Sequence, residues 1–220
     1  MNIIIDYDGT LHECDVIYAP AFRLAYHRLV ELSYAREREW QNGEISRWLG
    51  YSGREMWNEF MPDLPQEVKD ECGGIIRDEM LRRVRSGAAR LYSGALDALR
   101  ELRGGGHNLV FLSNCKREYM LANTEHFGLD EFFSMFVCAE DFSFRAKHEI
   151  FAAIKPSLPQ GGIAVVGDRW QDMEIAAVHG LKFIACGYGY GDAHELRGAD
   201  VTVSSVGEIP GAVELIKIGA

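Results

Sequence analysis

Five short apolar runs, Ile3–Ile5, Leu109–Leu112, Met135–Cys138, Ile163–Val166 and Phe183–Cys186, constrain what this chain can fold into more than any other feature. Each is continuous rather than alternating, as expected for strands buried on both faces. Helical patterns separate the later runs. Ser93 is placed to cap a helix that carries Ala95, Leu96, Leu99 and Leu102 and stops at Gly104-Gly105-Gly106. A second helix runs through Tyr119, Met120, Leu121 and Phe127 to Gly128, and a third holds Met173, Ile175, Ala176 and Val178 and ends at Gly180. Glycine just past the last apolar position tolerates the left-handed backbone that closes a helix. Strands alternating with such helices predict an α/β chain built on a parallel sheet covered on both faces.

The segment 15–90 breaks that rhythm, with helix after helix and no convincing strand. Pro20 to Leu32 carries Phe22, Leu24, Ala25 and Leu29. Ser52-Gly53-Arg54-Glu55 has the spacing of a capping box, in which serine and glutamate each satisfy a free backbone N–H. Pro65 to Val84 forms a long charged amphipathic segment, weakened at Gly73-Gly74. The expected organisation is an α/β core made of 1–14 and 91–220, with an all-helical insertion over 15–90.

Composition excludes several classes of function. With 220 residues, 47% hydrophobic and 25% charged, the chain can bury a core without a metal or disulfide staple, and it is neither disordered nor fibrous. Its net charge of −10 repels nucleic-acid phosphates and anionic lipid. The five cysteines are scattered and form no Cys-x-x-Cys pair, which favours a reducing, cytoplasmic location. Neither a signal-type start nor a run of about 18 apolar residues is found, so a soluble protein is expected.

Three strand ends carry groups suited to one reaction, and in open parallel sheets function gathers at the carboxyl edge. Ile3-Ile4-Ile5 leads into Asp6-Tyr7-Asp8-Gly9-Thr10, where two carboxylates leave the strand together. Phosphoryl transfer needs a nucleophile, a proton donor for the leaving oxygen and a counter-charge; Asp6 and Asp8 suit the first two, and a cation between them the third. An ordinary Asp-Gly turn with two solvated acids is the plain alternative. Leu109–Leu112 ends in Ser113-Asn114, a hydroxyl and backbone amides suited to a small anion or to a simple N-cap. Ile163–Val166 ends in Gly167-Asp168, with Asp172 one helical turn on: an oxygen pair suited to Mg²⁺, or else another cap. Lys147, after the third run, is a surface lysine when taken singly and a phosphoryl counter-charge in this company.

Asp6-Tyr7-Asp8-Gly9-Thr10, Ser113, Lys147 and Gly167-Asp168-x-x-x-Asp172 together resemble the four motifs of the haloacid dehalogenase superfamily. More narrowly they resemble its phosphatases with a helical cap after the first motif, such as the phosphoglycolate phosphatase group. The resemblance implies a doubly wound, Rossmann-like core under a cap of helices, with Asp6 as nucleophile forming an aspartyl-phosphate and Asp8 as general acid and base. It implies that Thr10, Ser113, Asn114 and Lys147 hold phosphoryl oxygens. It also implies Mg²⁺ held by Asp6, the backbone carbonyl of Asp8 and Asp168, with Asp172 as ligand or close support. The substrate implied is a small phosphomonoester, with no nucleic-acid or membrane partner.

Three departures from the commonest pattern stand out: His12-Glu13-Cys14-Asp15 after the first motif, His148-Glu149 after the lysine, and Arg169-Trp170 after Gly167-Asp168. In the insertion, Arg47 and Arg54 are candidates to contact a substrate anion. Trp48, Tyr51 and Trp57 either wall a pocket or pack the cap's own core, while Tyr188 and Tyr190 are candidates to border the entrance. Lys69, beside Glu67 and Asp70, reads as part of a solvated face, which argues against phosphonate cleavage through a cap lysine. Asp8 argues against carbon–halogen hydrolysis. A sugar phosphomutase and a non-catalytic phosphorylation-dependent module are the alternatives.

Overall fold

β1 (Asn2–Ile5) is an inner strand of a six-stranded sheet with order β3-β2-β1-β4-β5-β6 in the computed structural model, which describes residues 1–218. The others are β2 (Asn108–Ser113), β3 (Phe133–Cys138), β4 (Ile163–Gly167), β5 (Lys182–Cys186) and β6 (Val201–Val203), and every pairing is parallel. Ile3 pairs in register with Leu109 on one side and Ala164 on the other. From β1 the chain winds outward through β2 and β3, then returns to β4 and winds the other way. That reversal opens a crevice at the carboxyl ends of β1 and β4, where ligands bind in folds of this kind.

Both faces of the sheet are buried, which accounts for the continuous apolar runs. Ile3, Ile5, Phe111 and Val166 pack towards α5 (Ala95–Gly104), α6 (Arg117–Phe127) and α9 (Ile209–Ile218). Ile4, Val110, Val165 and Phe183 pack against α7 (Lys147–Ile154) and α8 (Trp170–His179). Gly128 and Gly180 take left-handed conformations at the ends of α6 and α8, as their position predicts. Ser93 does not cap α5; Gly94, at φ 88°, occupies the N-cap without any side-chain bond.

Between β1 and α5 lie only helices: α1 (Asp15–Glu31), α2 (Asn42–Ser46), α3 (Gly53–Phe60) and α4 (Gln66–Arg85). The first begins five residues before the expected start and carries Pro20 inside it. It keeps Ile17, Phe22, Ala25 and Leu29 buried, and that packing outweighs the hydrogen bond a proline removes. The capping box at Ser52 and Glu55 forms as its spacing predicts. α4 runs unbroken through Gly73-Gly74. Phe22, Trp40, Trp48 and Phe60 pack ring on ring, with Trp48–Phe60 centroids 4.8 Å apart. The two chain segments that join the helices to the sheet run side by side: Glu13 N–H donates to Arg90 O and Tyr92 N–H to Leu11 O, each at 2.9 Å. No described helix is long and apolar enough to cross a membrane.

Candidate active site

Asp6 follows β1 directly and continues its pairing, with its N–H on Val166 O at 3.0 Å. Beyond it the chain turns so tightly that the N–H groups of Thr10, Leu11 and His12 all donate to Tyr7 O. Gly9, at φ 89°, makes that turn, and a Cβ there would collide with the Asp168 carboxylate. Asp168, at the end of β4, therefore sits against the first loop. Thr10 Oγ1 donates to Asp168 Oδ1 at 3.3 Å, and Tyr190 N–H donates to Oδ2 at 2.7 Å.

Asp172 lies in the first turn of α8, and its Oδ2 accepts from Arg169 N–H at 3.2 Å. Lys147 is the first residue of α7, not part of a loose connection. Its Nζ donates to Asp6 Oδ1 at 2.6 Å and to Asp172 Oδ1 at 2.7 Å. The side chains of Asp6, Asp168 and Asp172 bring oxygens within 4.8 Å of one another, and all three residues are buried. One ammonium among three buried carboxylates leaves two negative charges to offset. Burial pushes the Asp6 carboxyl well above its usual range; the Asp172 charge adds to this and Lys147 only partly opposes it. Asp168 is pushed up to about 7, again by burial first and Asp172 second. Burial alone would lower the Lys147 ammonium, but Asp172 and Asp6 hold it above its ordinary value. An all-oxygen donor set with surplus negative charge fits a hard divalent cation such as Mg²⁺.

These shifts set a pH dependence for the chelated protein. Asp168 binds its proton more tightly folded than unfolded, where its value is near 3.8. Its contribution is therefore full below about pH 4 and is lost as pH rises to about 7. Denaturant melts in EDTA between pH 4.5 and 8 should show wild type losing on the order of a few kcal/mol relative to Asp168→Asn across that range. A constant difference between the two would contradict the assignment.

Asp6, Asp8, Ser113, Asn114 and Lys147 line one cavity of about 870 Å³ beneath the helices. Arg54, Trp48, Tyr51 and Trp57 line it too, with Arg54 exposed and both tryptophans largely buried in the aromatic cluster of these helices. Asn114 Nδ2 donates to Gly50 O at 2.9 Å. α6 begins only at Arg117, whose N–H is taken by Glu140, so the anion cradle after β2 reduces to Ser113 and the turn that follows. Thr10 is fully buried against Asp168 and is not on the cavity wall. Arg47 turns away to Glu59 at 3.1 Å. Tyr188 and Tyr190 lie under the loops instead of at the entrance: Tyr188 donates to Thr10 O at 2.6 Å and Tyr190 to Asp15 Oδ1 at 3.2 Å. Lys69 is not on a solvated face; it is buried, with its amine on Pro62 O at 2.8 Å.

A family model described as haloacid dehalogenase-like hydrolase matches residues 3–186. The chain belongs to the haloacid dehalogenase-like hydrolases. It is 26% identical over 202 residues to a phosphoglycolate phosphatase of Synechococcus elongatus, covering 90% of this chain and 88% of that one. In fold it is similar to a predicted phosphatase from Clostridium acetobutylicum, with a TM-score of 0.83, 20% identity and coverage of 97% and 98%. CbbY from Rhodobacter sphaeroides in complex with phosphate gives a TM-score of 0.76 at 20% identity, covering 94% and 95%. The resemblance drawn from the four motifs and the doubly wound fold are both borne out, and within the family the chain is an enzyme of the phosphatase kind.

Some residues that meet at this site carry no motif signal. Arg169 and Glu195, the backbone N–H of Tyr190, and the His12–Tyr119 pair come together only through tertiary structure. One clue was available for Tyr190. In Gly187-Tyr188-Gly189-Tyr190-Gly191 the alternating glycines mark close backbone approach, and a Cβ at Gly189 or Gly191 would strike Asp168.

Proposed function

We propose that this haloacid dehalogenase-like hydrolase is a Mg²⁺-dependent phosphatase that cleaves a small, soluble phosphomonoester through an aspartyl-phosphate. The observation that carries the reading is the convergence of Asp6, Asp8 and Lys147 on one cavity, with Asp168 and Asp172 buried behind Asp6. Residues 15–90 form a cap over a catalytic part made of 1–14 and 91–220, a division supported by the paired linkers at Leu11–Glu13 and Arg90–Tyr92. Phosphoglycolate and compounds like it are the first substrates to test, given the resemblance to phosphoglycolate phosphatases. Scattered, unpaired cysteines favour the cytoplasm.

A carboxylate oxygen of Asp6 attacks phosphorus in line with the leaving oxygen. As the P–O bond to the alcohol breaks, Asp8 delivers its proton to that oxygen. Water then attacks the phosphorus of the aspartyl-phosphate while Asp8 takes back a proton, releasing phosphate and restoring Asp6. Lys147 and Ser113 hold phosphoryl oxygens, and Arg54 meets the far end of the substrate. Mg²⁺ held by Asp6, the Asp8 carbonyl, Asp168 and Asp172 would keep these oxygens ionised and offset charge on the phosphoryl group.

The test is steady-state phosphate release from a panel of phosphomonoesters including phosphoglycolate, with Mg²⁺ or EDTA, followed by product identification. Metal-dependent release of free phosphate and alcohol in equal amounts is expected. An isomeric phosphate ester with little free phosphate would mean a phosphomutase. No turnover of any panel member by folded, Mg²⁺-loaded protein would remove the phosphatase reading.

A further inference from the structure

Asp8 is not left to choose its own orientation. Its Oδ1 accepts from the Tyr119 hydroxyl at 2.8 Å and meets His12 Nδ1 at 2.8 Å, while Tyr119 Oη and His12 Nδ1 lie 3.2 Å apart. The three atoms close a small triangle against one oxygen of the carboxyl group. Resting on the reading of Asp8 as proton donor and acceptor, the geometry points to His12 and Tyr119 as positioning residues that hold Oδ1 and leave Oδ2 to exchange the proton.

Both groups are themselves fixed. His12 is fully buried; its ring stacks on Tyr7 with centroids 5.0 Å apart and 8° between planes, and its edge meets Tyr119 and Phe127. Nε2 has no partner among the described residues, so Nδ1, against Asp8 Oδ1 and the Tyr119 hydroxyl, makes all the polar contacts of this imidazole. A buried ring whose polar contacts all lie at one nitrogen is oriented by them, and the shorter of the two is to Asp8. Tyr119 projects from α6, and Asn123 locks its turn by donating Nδ2–H to Tyr119 O at 2.9 Å. The Tyr7 hydroxyl donates to Asn123 Oδ1 at 2.9 Å, so the residue between the two aspartates also braces the helix that carries Tyr119.

The chemical reason for such bracing is specific. Asp8 sits in a turn, with its side chain 16% exposed to the cavity, and a free carboxyl group would sample several rotamers there. Proton transfer needs hydrogen-bond geometry to the leaving oxygen, so each unproductive rotamer subtracts from the rate. The nucleophile is untouched by this network, since Asp6 is held by Lys147. Loss of the brace therefore weakens the two proton transfers of Asp8, to the leaving oxygen and from the hydrolytic water, of which only the first enters kcat/KM. In kcat/KM a substrate whose leaving group needs no proton would not register the change.

That selectivity is the test. For Tyr119→Phe, kcat/KM for an alkyl phosphomonoester such as phosphoglycolate or glycerol phosphate should fall about 10- to 100-fold. For p-nitrophenyl phosphate, whose leaving group departs as the anion, the fall should stay within about threefold. His12→Asn, which keeps an N–H donor near the Nδ1 position, should retain more of the alkyl-ester activity than His12→Leu. Melting temperatures identify any variant that fails to fold, and Tyr119→Phe, which removes one oxygen and no volume, is the variant that decides. Equal losses on the two ester types, or none on either, would overturn the positioning role while wild-type turnover kept the phosphatase reading intact. Absence of wild-type turnover on both esters would overturn the two together.

Discussion

Replacing Asp6 with asparagine is expected to lower phosphate release by at least about 10⁴-fold while the protein stays folded. The amide is isosteric, so the strand end, the Asp6 N–H bond to Val166 O and the cavity wall are unchanged. What disappears is the oxygen nucleophile, for which neither Asp8 nor Asp172 is placed to substitute: the free oxygen of Asp8 is the one that exchanges the proton, and Asp172 is buried and held by Lys147. The effect on stability is small because two terms oppose. Removing a desolvated carboxylate relieves its burial and its repulsion by Asp172, whereas Lys147 loses one of its two opposing charges and keeps Asp172 at 2.7 Å. Melting within a few degrees of wild type, together with near-absent turnover, is the expected pair of results. Residual activity within 100-fold of wild type would mean that another group attacks phosphorus.

The strands were legible because burial on both faces leaves an unmistakable apolar run, as in Leu109–Leu112 and Ile163–Val166. β6 gave no such run. Its three residues lie at the sheet edge with Thr202 exposed, so only Val203 is fully buried. α7 was missed for a related reason: it opens on Lys147-His148-Glu149, which looks like solvated loop, and buries its apolar face only from Ile150 onward. Pro20 and Gly73 misled in the other direction. Both are helix breakers by intrinsic preference, yet both lie inside helices, α1 and α4, that pack against each other.

The site divides in the same way. Asp6, Asp8, Ser113, Lys147, Asp168 and Asp172 were readable because each lies at or near a strand end, or at the start of the helix that follows, and local sequence determines such places. Their supports were not. Tyr119 lies 111 positions from Asp8 and His12 four, and nothing in the intervening sequence encodes that both converge on the same oxygen. The anion cradle expected at Asn114 also depended on local pattern. The structure turns that side chain to Gly50 instead, because the loop between α2 and α3 comes down onto β2.

That descending loop sets up the second large effect, at Arg169. Its guanidinium is buried, with Nε on Glu195 Oε2 at 2.9 Å and an Nη2 contact to Glu195 Oε1 at 3.2 Å. Nη1 donates to Arg47 O at 3.2 Å and also to Leu49 O, and the group lies 4.9 Å from the Tyr51 ring centroid. Gly50, at φ 88°, leaves room for the arginine stem where a Cβ would come within 2.8 Å of Arg169 Cγ. One side chain beside Asp168 therefore holds the loop that contributes Trp48, Leu49, Gly50 and Tyr51 to the cavity. Arg169→Ala removes the ion pair to Glu195, which keeps only the Trp170 N–H, and leaves two loop carbonyls without their partner, an expected loss of about 2–4 kcal/mol. For a chain of this length that corresponds to a fall in Tm of roughly 5–15 °C. Arg169→Lys keeps the charge but not the planar fork, so it should fall between the two. Because the loop walls the far side of the cavity and leaves Asp6 and Lys147 in place, KM should rise more than kcat falls. Thermal melts and steady-state kinetics on the three proteins check both points, and an Arg169→Ala variant melting within 2 °C of wild type, a margin below the roughly 5 °C expected, would show that the loop is held by other contacts.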